Sequence, residues 1–285
     1  ILKYWIPFLA PCLGTISRIV RANTHTKVIA IVHNLIPHEK RFGDNILNRY
    51  FVNSSDAFVA ISESVYNDLD HFVKHKKKIL SIHPLYDNFG KAVDKGQAIS
   101  NLSLDKDYRY MLFFGIIRQY KGLDILLEAF SDNRLQTKNI KLIIAGEFYE
   151  DSQPYYDLID KYNLSDSVIL VTNFIPDNEV YNYFCAADII VQPYKHATQS
   201  GVTQIAYHFD KPMLVTNVGG LKEIVPHNKV GYVCKPEPND VADHLFKFFS
   251  QNKESDFIKG VKEEKHKYSW NRMIDDVKFL YSTLV

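Results

Sequence analysis

Between Tyr110 and Cys234 short β-rich runs alternate with helical patterns, and this alternation restricts the fold more than any other property of the chain. A parallel strand pair needs a long crossover, usually a helix, so strands separated by helices form parallel sheets. Tyr110–Phe114, Lys141–Ala145, Val168–Thr172, Ile189–Gln192, Met213–Thr216 and Gly231–Cys234 read as strands. Helices are expected near Leu123–Phe130, Tyr155–Tyr162, Asn178–Ala186, Val202–Phe209 and Leu221–Val225, with Asp240–Ser250 after the last strand. Six strands with intervening helices make one complete doubly wound domain.

The preceding residues supply less. Strands are expected at Lys27–Val32, Ala57–Ile61 and Lys78–Ile82, and helices at Asn45–Asn53 and Ser64–Phe72, which amounts to half a domain with three strands. Asp87–Lys106 is polar, contains Gly90 and Gly96, shows no clear period and reads as a linker. The opening Ile1–Pro11 is apolar but interrupted by Pro7 and Pro11, and reads either as a surface segment or as the start of a buried helix. Its Trp5–Pro11 part is a candidate for peripheral membrane contact. No run reaches the roughly 20 apolar residues that a bilayer span needs.

A formal net charge of +1 gives no basic field for nucleic acid, so any positive site must be local. Cys12, Cys185 and Cys234 are far apart and form no C-x-x-C pattern. Neither a zinc site nor a disulfide framework is indicated, and a reduced, cytoplasmic setting fits.

One local site stands out. In F-F-G-I-I-R-Q-Y-K-G-L-D-I-L-L-E-A-F, from Phe113 to Phe130, an apolar run stops at Gly115, Arg118 and Lys121 follow, and an amphipathic helix begins after Gly122. A guanidinium and an ammonium at a strand end, beside a helix N-terminus, suit adjacent phosphates. The same residues also suit a solvated, basic βα loop. Thr198–Gly201 repeats the arrangement, with Ser200 a candidate N-cap and Gly201 in the first turn; an ordinary capped helix start has the same pattern. Gly219-Gly220 with Glu223 offers a third such turn. His33, at the end of the strand Val28–Val32, His38 beyond it and His83 after Ile82 are each placed either to donate hydrogen bonds at a site or to order their own loops. No P-loop, nucleophile-elbow or H-E-x-x-H motif occurs.

G-I-I-R-Q-Y-K-G, I-A-G-E at Ile144–Glu147, F-I-P-D-N-E-V at Phe174–Val180, A-D-I-I-V-Q-P-Y at Ala187–Tyr194 and K-P-M-L-V-T-N-V-G-G-L-K-E at Lys211–Glu223 occur in one register. With V-H-N-L-I-P-H-E at Val32–Glu39 and V-A-I-S-E at Val59–Glu63, the chain resembles group 1 retaining glycosyltransferases of the GT-B fold over nearly its whole length. The resemblance implies an α/β protein with two Rossmann-like domains facing a cleft, the N-terminal one incomplete. The expected division is 1–95 for the partial acceptor-side domain, 105–267 for the nucleotide-sugar domain and 268–285 for a C-terminal helix crossing back to the first.

The resemblance also implies roles. Arg118 and Lys121 match the pair that holds the donor diphosphate and stabilises its departure, with Gly115 at the strand end beside them. Ser200 and Gly201 match the helix N-terminus on the same phosphates. Glu147 and Ile175 lie in loops that approach the nucleoside, and His33 matches the histidine near the sugar and leaving group. The donor is then a nucleotide-diphosphate sugar, with no metal and no separate cofactor, and the acceptor is a glycan or glycolipid, as in bacterial-type polysaccharide assembly.

Two departures bear on activity. Many relatives carry two glutamates eight residues apart around the second helix start, where this chain has Ala197 and Ile205; Gln199 or Gln204 would have to supply polar contacts there. Relatives also begin with a strand and Gly-rich loop upstream of anything in this chain, so an N-terminal truncation is expected. The rival readings are a sugar-nucleotide epimerase of the same fold and a catalytically degenerate nucleotide-sugar-binding subunit.

Overall fold

The computed structural model describes residues 1–23, 26–36, 42–197 and 199–285. They form two compact units, Ile1–Pro84 with Lys267–Val285, and Leu85–His266.

The first unit runs β1 (Leu2–Tyr4), α1 (Ala10–Asn23), β2 (Ile29–Val32), α2 (Asp44–Ser54), β3 (Ala57–Ala60), α3 (Glu63–Asp70) and β4 (Lys77–Leu80). Its strands pair in parallel in the order β1-β2-β3-β4. Among the described residues the first unit therefore has four strands, not the expected three. In β1 the fully buried Tyr4 stacks on Phe51 at 4.0 Å, and its hydroxyl donates to Asn48 Oδ1 at 2.6 Å. The prolines start structure here rather than break it. Pro7 opens a 3-10 turn and Pro11 lies in the first turn of α1, where a missing N–H costs nothing.

Hydrophobic periodicity misses α1 because its buried face is made of small residues: Ala10, Gly14 and Ser17. A Cβ on Gly14 would stand 2.6 Å from the Tyr50 ring, and Ser17 Oγ donates to Ser54 O, so α1 and α2 approach closely. Ile16 and Ile19 are left exposed on the other side of α1.

The second unit runs α4 (Lys95–Asn101), β5 (Arg109–Phe114), α5 (Leu123–Phe130), α6 (Asn133–Gln136), β6 (Ile140–Ala145), α7 (Gln153–Lys161), β7 (Val168–Val171) and α8 (Val180–Ala186). It continues with β8 (Ile189–Gln192), α9 (Gly201–His208), β9 (Met213–Thr216), α10 (Leu221–Ile224), β10 (Gly231–Cys234), α11 (Pro238–Ser250) and α12 (Glu254–Glu264). The six expected strands are all present, parallel, in the order β10-β9-β8-β5-β6-β7. The chain adds strands outward on one side of β5, then returns to add β8, β9 and β10 on the other. The topological switch point lies between β5 and β8.

The expected linker is a correction: α4 lies inside Asp87–Lys106. Asp94 caps it by accepting from Gly96 N at 2.8 Å, and Ala98 and Ile99 are buried. Two apolar residues make too little periodic signal, and what anchors the helix is remote in sequence. Asn101 donates to Asn182 Oδ1 at 2.8 Å, and Lys95 pairs with Asp188 at 2.6 Å.

The last helix, α13 (Trp270–Ser282), belongs to the first unit, where Met273 and Leu280 join a core with Ile29, Ala57, Val59 and Ile61. Tyr4, Pro7 and Ala10 are buried, whereas Phe8 is 81% exposed. Among the described residues no helix is long and apolar enough to cross a membrane.

Candidate functional site at the switch point

Ligands of open parallel sheets bind outside the C-terminal strand ends at the switch point. The loops that follow β5 and β8 end there, and they carry Gly115, Arg118 and Lys121 on one side and Ser200 and Gly201 on the other. Gly115 leaves β5 at φ +89°, a left-handed backbone that suits glycine, and its N–H continues the ladder to Ala145 O at 2.9 Å. Arg118 then opens a 3-10 turn, Gln119–Lys121, and Gly122, also left-handed, starts α5. A Cβ on Gly122 would stand 2.0 Å from Pro193 O, so this turn lies directly against the strand-to-loop passage after β8.

The two loops converge on one point. A Cβ built on Gly115 would stand 3.3 Å from Lys121 Nζ and 3.9 Å from Val202 Cγ2, and Val202 is in the first turn of α9. Ser200 caps α9, its Oγ accepting from Val202 N at 3.2 Å and sharing a 3.2 Å hydrogen bond with Tyr194 OH. Gly201 is exposed, and a Cβ there would stand 3.0 Å from the Tyr86 ring. Thr198 lies outside the described residues.

Lys121 is 9% exposed; its ammonium lies 5.8 Å from the centroid of the Tyr194 ring and makes no hydrogen bond or ion pair among the described residues. Burial, and then the neighbouring Arg118 charge, pull its pKa from 10.5 down to about 8. The Arg118 guanidinium carbon lies 3.8 Å over the Tyr149 ring, and its N–H groups also make no hydrogen bond or ion pair among the described residues. Two cations without anionic partners, one of them buried, are costly in a ligand-free protein and suit a bound anion.

Glu147 is exposed in the loop after β6, and its carbonyl accepts from Ile117 N at 2.7 Å. Ile175 is buried after β7, and no hydrogen bond joins it to the Arg118–Lys121 group among the described residues. Ile205 is buried in α9, while Gln204, 2% exposed, has an Oε1 with no partner among the described residues. Both polar side-chain atoms of the buried Gln192 likewise have no partner among the described residues.

His33 belongs to the other unit. Its ring meets that of His83 edge-on at 5.3 Å. Burial, then Lys3 and His83, pull its pKa from 6.5 to about 4, so the ring is neutral at pH 7. His83 is also held below the usual histidine range, chiefly by burial, and its Nδ1 lies 2.7 Å from Pro84 O. His38 lies outside the described residues.

Sequence reasoning assigned no role to Tyr194 or Tyr149. Both occupy quoted or adjacent motif positions, yet nothing local marks one as the partner of Ser200 and the other as the platform under Arg118. Among the described residues no cluster of three or more His, Cys, Asp or Glu could hold a metal ion.

The model of the family Glycosyl transferases group 1 matches residues 94–264, well over half of the chain. An uncharacterized glycosyltransferase of Methanocaldococcus jannaschii is 26% identical over 247 residues, covering 85% of this chain and 64% of that protein. The next two curated relatives are matched over 46% and 51% of their lengths, so the chain spans about half to just under two thirds of them. Among solved structures, Anabaena HepE in complex with UDP superposes with TM-score 0.83 at 14% identity, over 99% of this chain and 79% of that one. Sucrose-phosphate synthase from Thermosynechococcus elongatus superposes with TM-score 0.79 at 18% identity, over 99% and 73%. The switch-point site, the strand order and these likenesses agree: the chain belongs to the group 1 glycosyl transferases and has the GT-B fold.

Proposed function

We propose that this protein is a retaining glycosyltransferase that moves a sugar from a nucleotide-diphosphate sugar to a glycan or glycolipid acceptor, in polysaccharide or glycolipid assembly at the cytoplasmic side of the cell. The observation that carries the reading is the pair of cations with no anionic partner among the described residues, Arg118 and Lys121, beside the N-terminus of α9 at the switch point. The UDP named in the HepE structure is an anion of this class.

The leaving diphosphate gains negative charge as the glycosidic bond to the donor breaks. Arg118, Lys121 and the Gly201 backbone N–H at the start of α9 stabilise that charge more in the transition state than in the ground state, which is what accelerates the step. In this reading the protein's own cations replace a metal, and no separate cofactor takes part. Gly115 leaves room for the Lys121 ammonium, and Glu147 and Ile175 border the nucleoside. His33, neutral at pH 7, has one ring N–H to donate toward the sugar. The exposed Trp5 and Phe8 are the part of the first unit suited to peripheral membrane contact.

Calorimetric titration with UDP and GDP, followed by assays with their sugars, tests the reading. Arg118→Ala and Lys121→Ala should each lower turnover about a hundredfold, the effect of losing one such charge contact. Wild-type turnover in both variants would sink it.

A further inference from the structure

Arg118 is held from below by Tyr149. The guanidinium carbon stands 3.8 Å from the ring centroid, although Tyr149 is itself 65% exposed. Side chains on an open surface do not ordinarily keep such a stack without backbone support, and here the backbone supplies it. Ile117 N donates to Glu147 O at 2.7 Å, and Tyr149 N donates to Ile117 O at 3.0 Å. Together they extend the β5–β6 pairing as a parallel bridge beyond both strand ends. Gly146 makes the approach feasible, since a Cβ there would stand 2.4 Å from Gly115 O. Phe148, between the two stitched residues, packs against the Tyr155 and Tyr156 rings and anchors the loop to the core.

The stack uses only the face of the guanidinium. Its in-plane N–H donors, the groups that grip a phosphate, make no hydrogen bond or ion pair among the described residues. A free arginine would sample many rotamers and lose that freedom on binding an anion; one already stacked loses less.

We propose that Tyr149 is a positioning residue for Arg118, holding its donor fork open for the diphosphate, and is not itself a nucleoside platform. The inference rests on the donor reading of the site given above.

Binding of inorganic pyrophosphate and of UDP to the full chain tests it. Tyr149→Leu should weaken both about two- to fivefold, the scale of an exposed cation–π contact. Tyr149→Phe, which keeps the ring, should restore wild-type affinity. In an Arg118→Ala background Tyr149→Leu should have no further effect, because the contact it removes is already gone.

A loss seen with UDP but not with pyrophosphate, or one that persists without Arg118, would show a direct role for the ring on the nucleoside and overturn the inference. Unchanged binding by Tyr149→Leu in a wild type that binds both ligands would overturn it and leave the donor reading standing. A wild type that binds neither ligand would overturn both.

Discussion

The Lys121 ammonium lies 3.3 Å from the point where a side chain on Gly115 would begin. A residue at the end of a strand and a cation six positions later are therefore one construction: the missing Cβ leaves the space that the buried charge occupies. The same point is 3.9 Å from Val202 in the first turn of α9. Any side chain at Gly115 thus enters the space shared by both halves of the candidate phosphate site.

Gly115→Ala should impair donor binding more than it impairs folding. The alanine would be strained at φ +89°, at about 1–2 kcal/mol for a left-handed non-glycine residue, and its methyl would crowd the Lys121 ammonium at 3.3 Å. Urea unfolding paired with UDP titration measures both effects. Unaltered UDP affinity would contradict the shared-space account.

Lys121 should set a pH limit on donor binding. With its pKa lowered to about 8, the ammonium is charged below that pH and loses its proton above it. UDP affinity should fall as pH rises above about 8, where the Lys121 ammonium of the ligand-free protein loses its proton, and Lys121→Met should abolish that fall. The sign for stability is the reverse. The unfolded lysine keeps its proton to about 10.5, so the burial penalty is fully present below pH 8 and is relieved between 8 and 10.5. Lys121→Met should therefore raise ligand-free stability at pH 7 by up to about 3 kcal/mol, a gain that shrinks in melts at higher pH.

His33 should not titrate between pH 5 and 8. Its folded pKa of about 4 lies below the ordinary 6.5, so between these values the unfolded state binds the extra proton and stability drops as pH falls. His33→Gln should flatten that part of the acid stability profile. Imidazole NMR shifts across pH 4–8 check the neutral state directly, and a midpoint near 6.5 would contradict it.

Asp188 is the structural charge centre of the second unit. It is 1% exposed; Lys95 Nζ at 2.6 Å and Arg109 Nε at 3.2 Å reach Oδ1, and Tyr110 N donates to Oδ2 at 2.7 Å. Burial alone would raise its pKa, but Lys95, the Tyr110 N–H and Arg109 together hold it below the usual carboxylate range. Asp188→Ala leaves Lys95 and the Tyr110 N–H without their partner and Arg109 with Glu254 as its remaining carboxylate, and should cost about 3–5 kcal/mol in urea unfolding. The wild-type advantage is present above the unfolded carboxylate pKa and fades as pH falls through the lower folded value. A cost under about 1 kcal/mol would mean that these groups find solvent instead.

The sequence by itself determined the alternation of strands and helices in the second unit, the end of β5 at Gly115 and the capped start of α9 at Ser200. These are local: apolar period, glycine and a hydroxyl before a helix act within a few residues. It did not show α1, whose buried face is Ala10, Gly14 and Ser17. Small residues gain their packing only when a partner such as Tyr50 is brought against them. Nor did it show that α4 lies within a polar stretch, because Asn182 and Asp188, which hold it, are remote in the chain.

Only the tertiary structure decided which loops meet. Strand order put β8 beside β5, and that adjacency brought two separate basic or capped turns together as one candidate site with Lys121 and Ser200. It also placed Tyr149 beneath Arg118 and His83 against His33. Such contacts depend on parallel pairing between distant segments, which is set by packing across the sheet and leaves no period in the sequence to read.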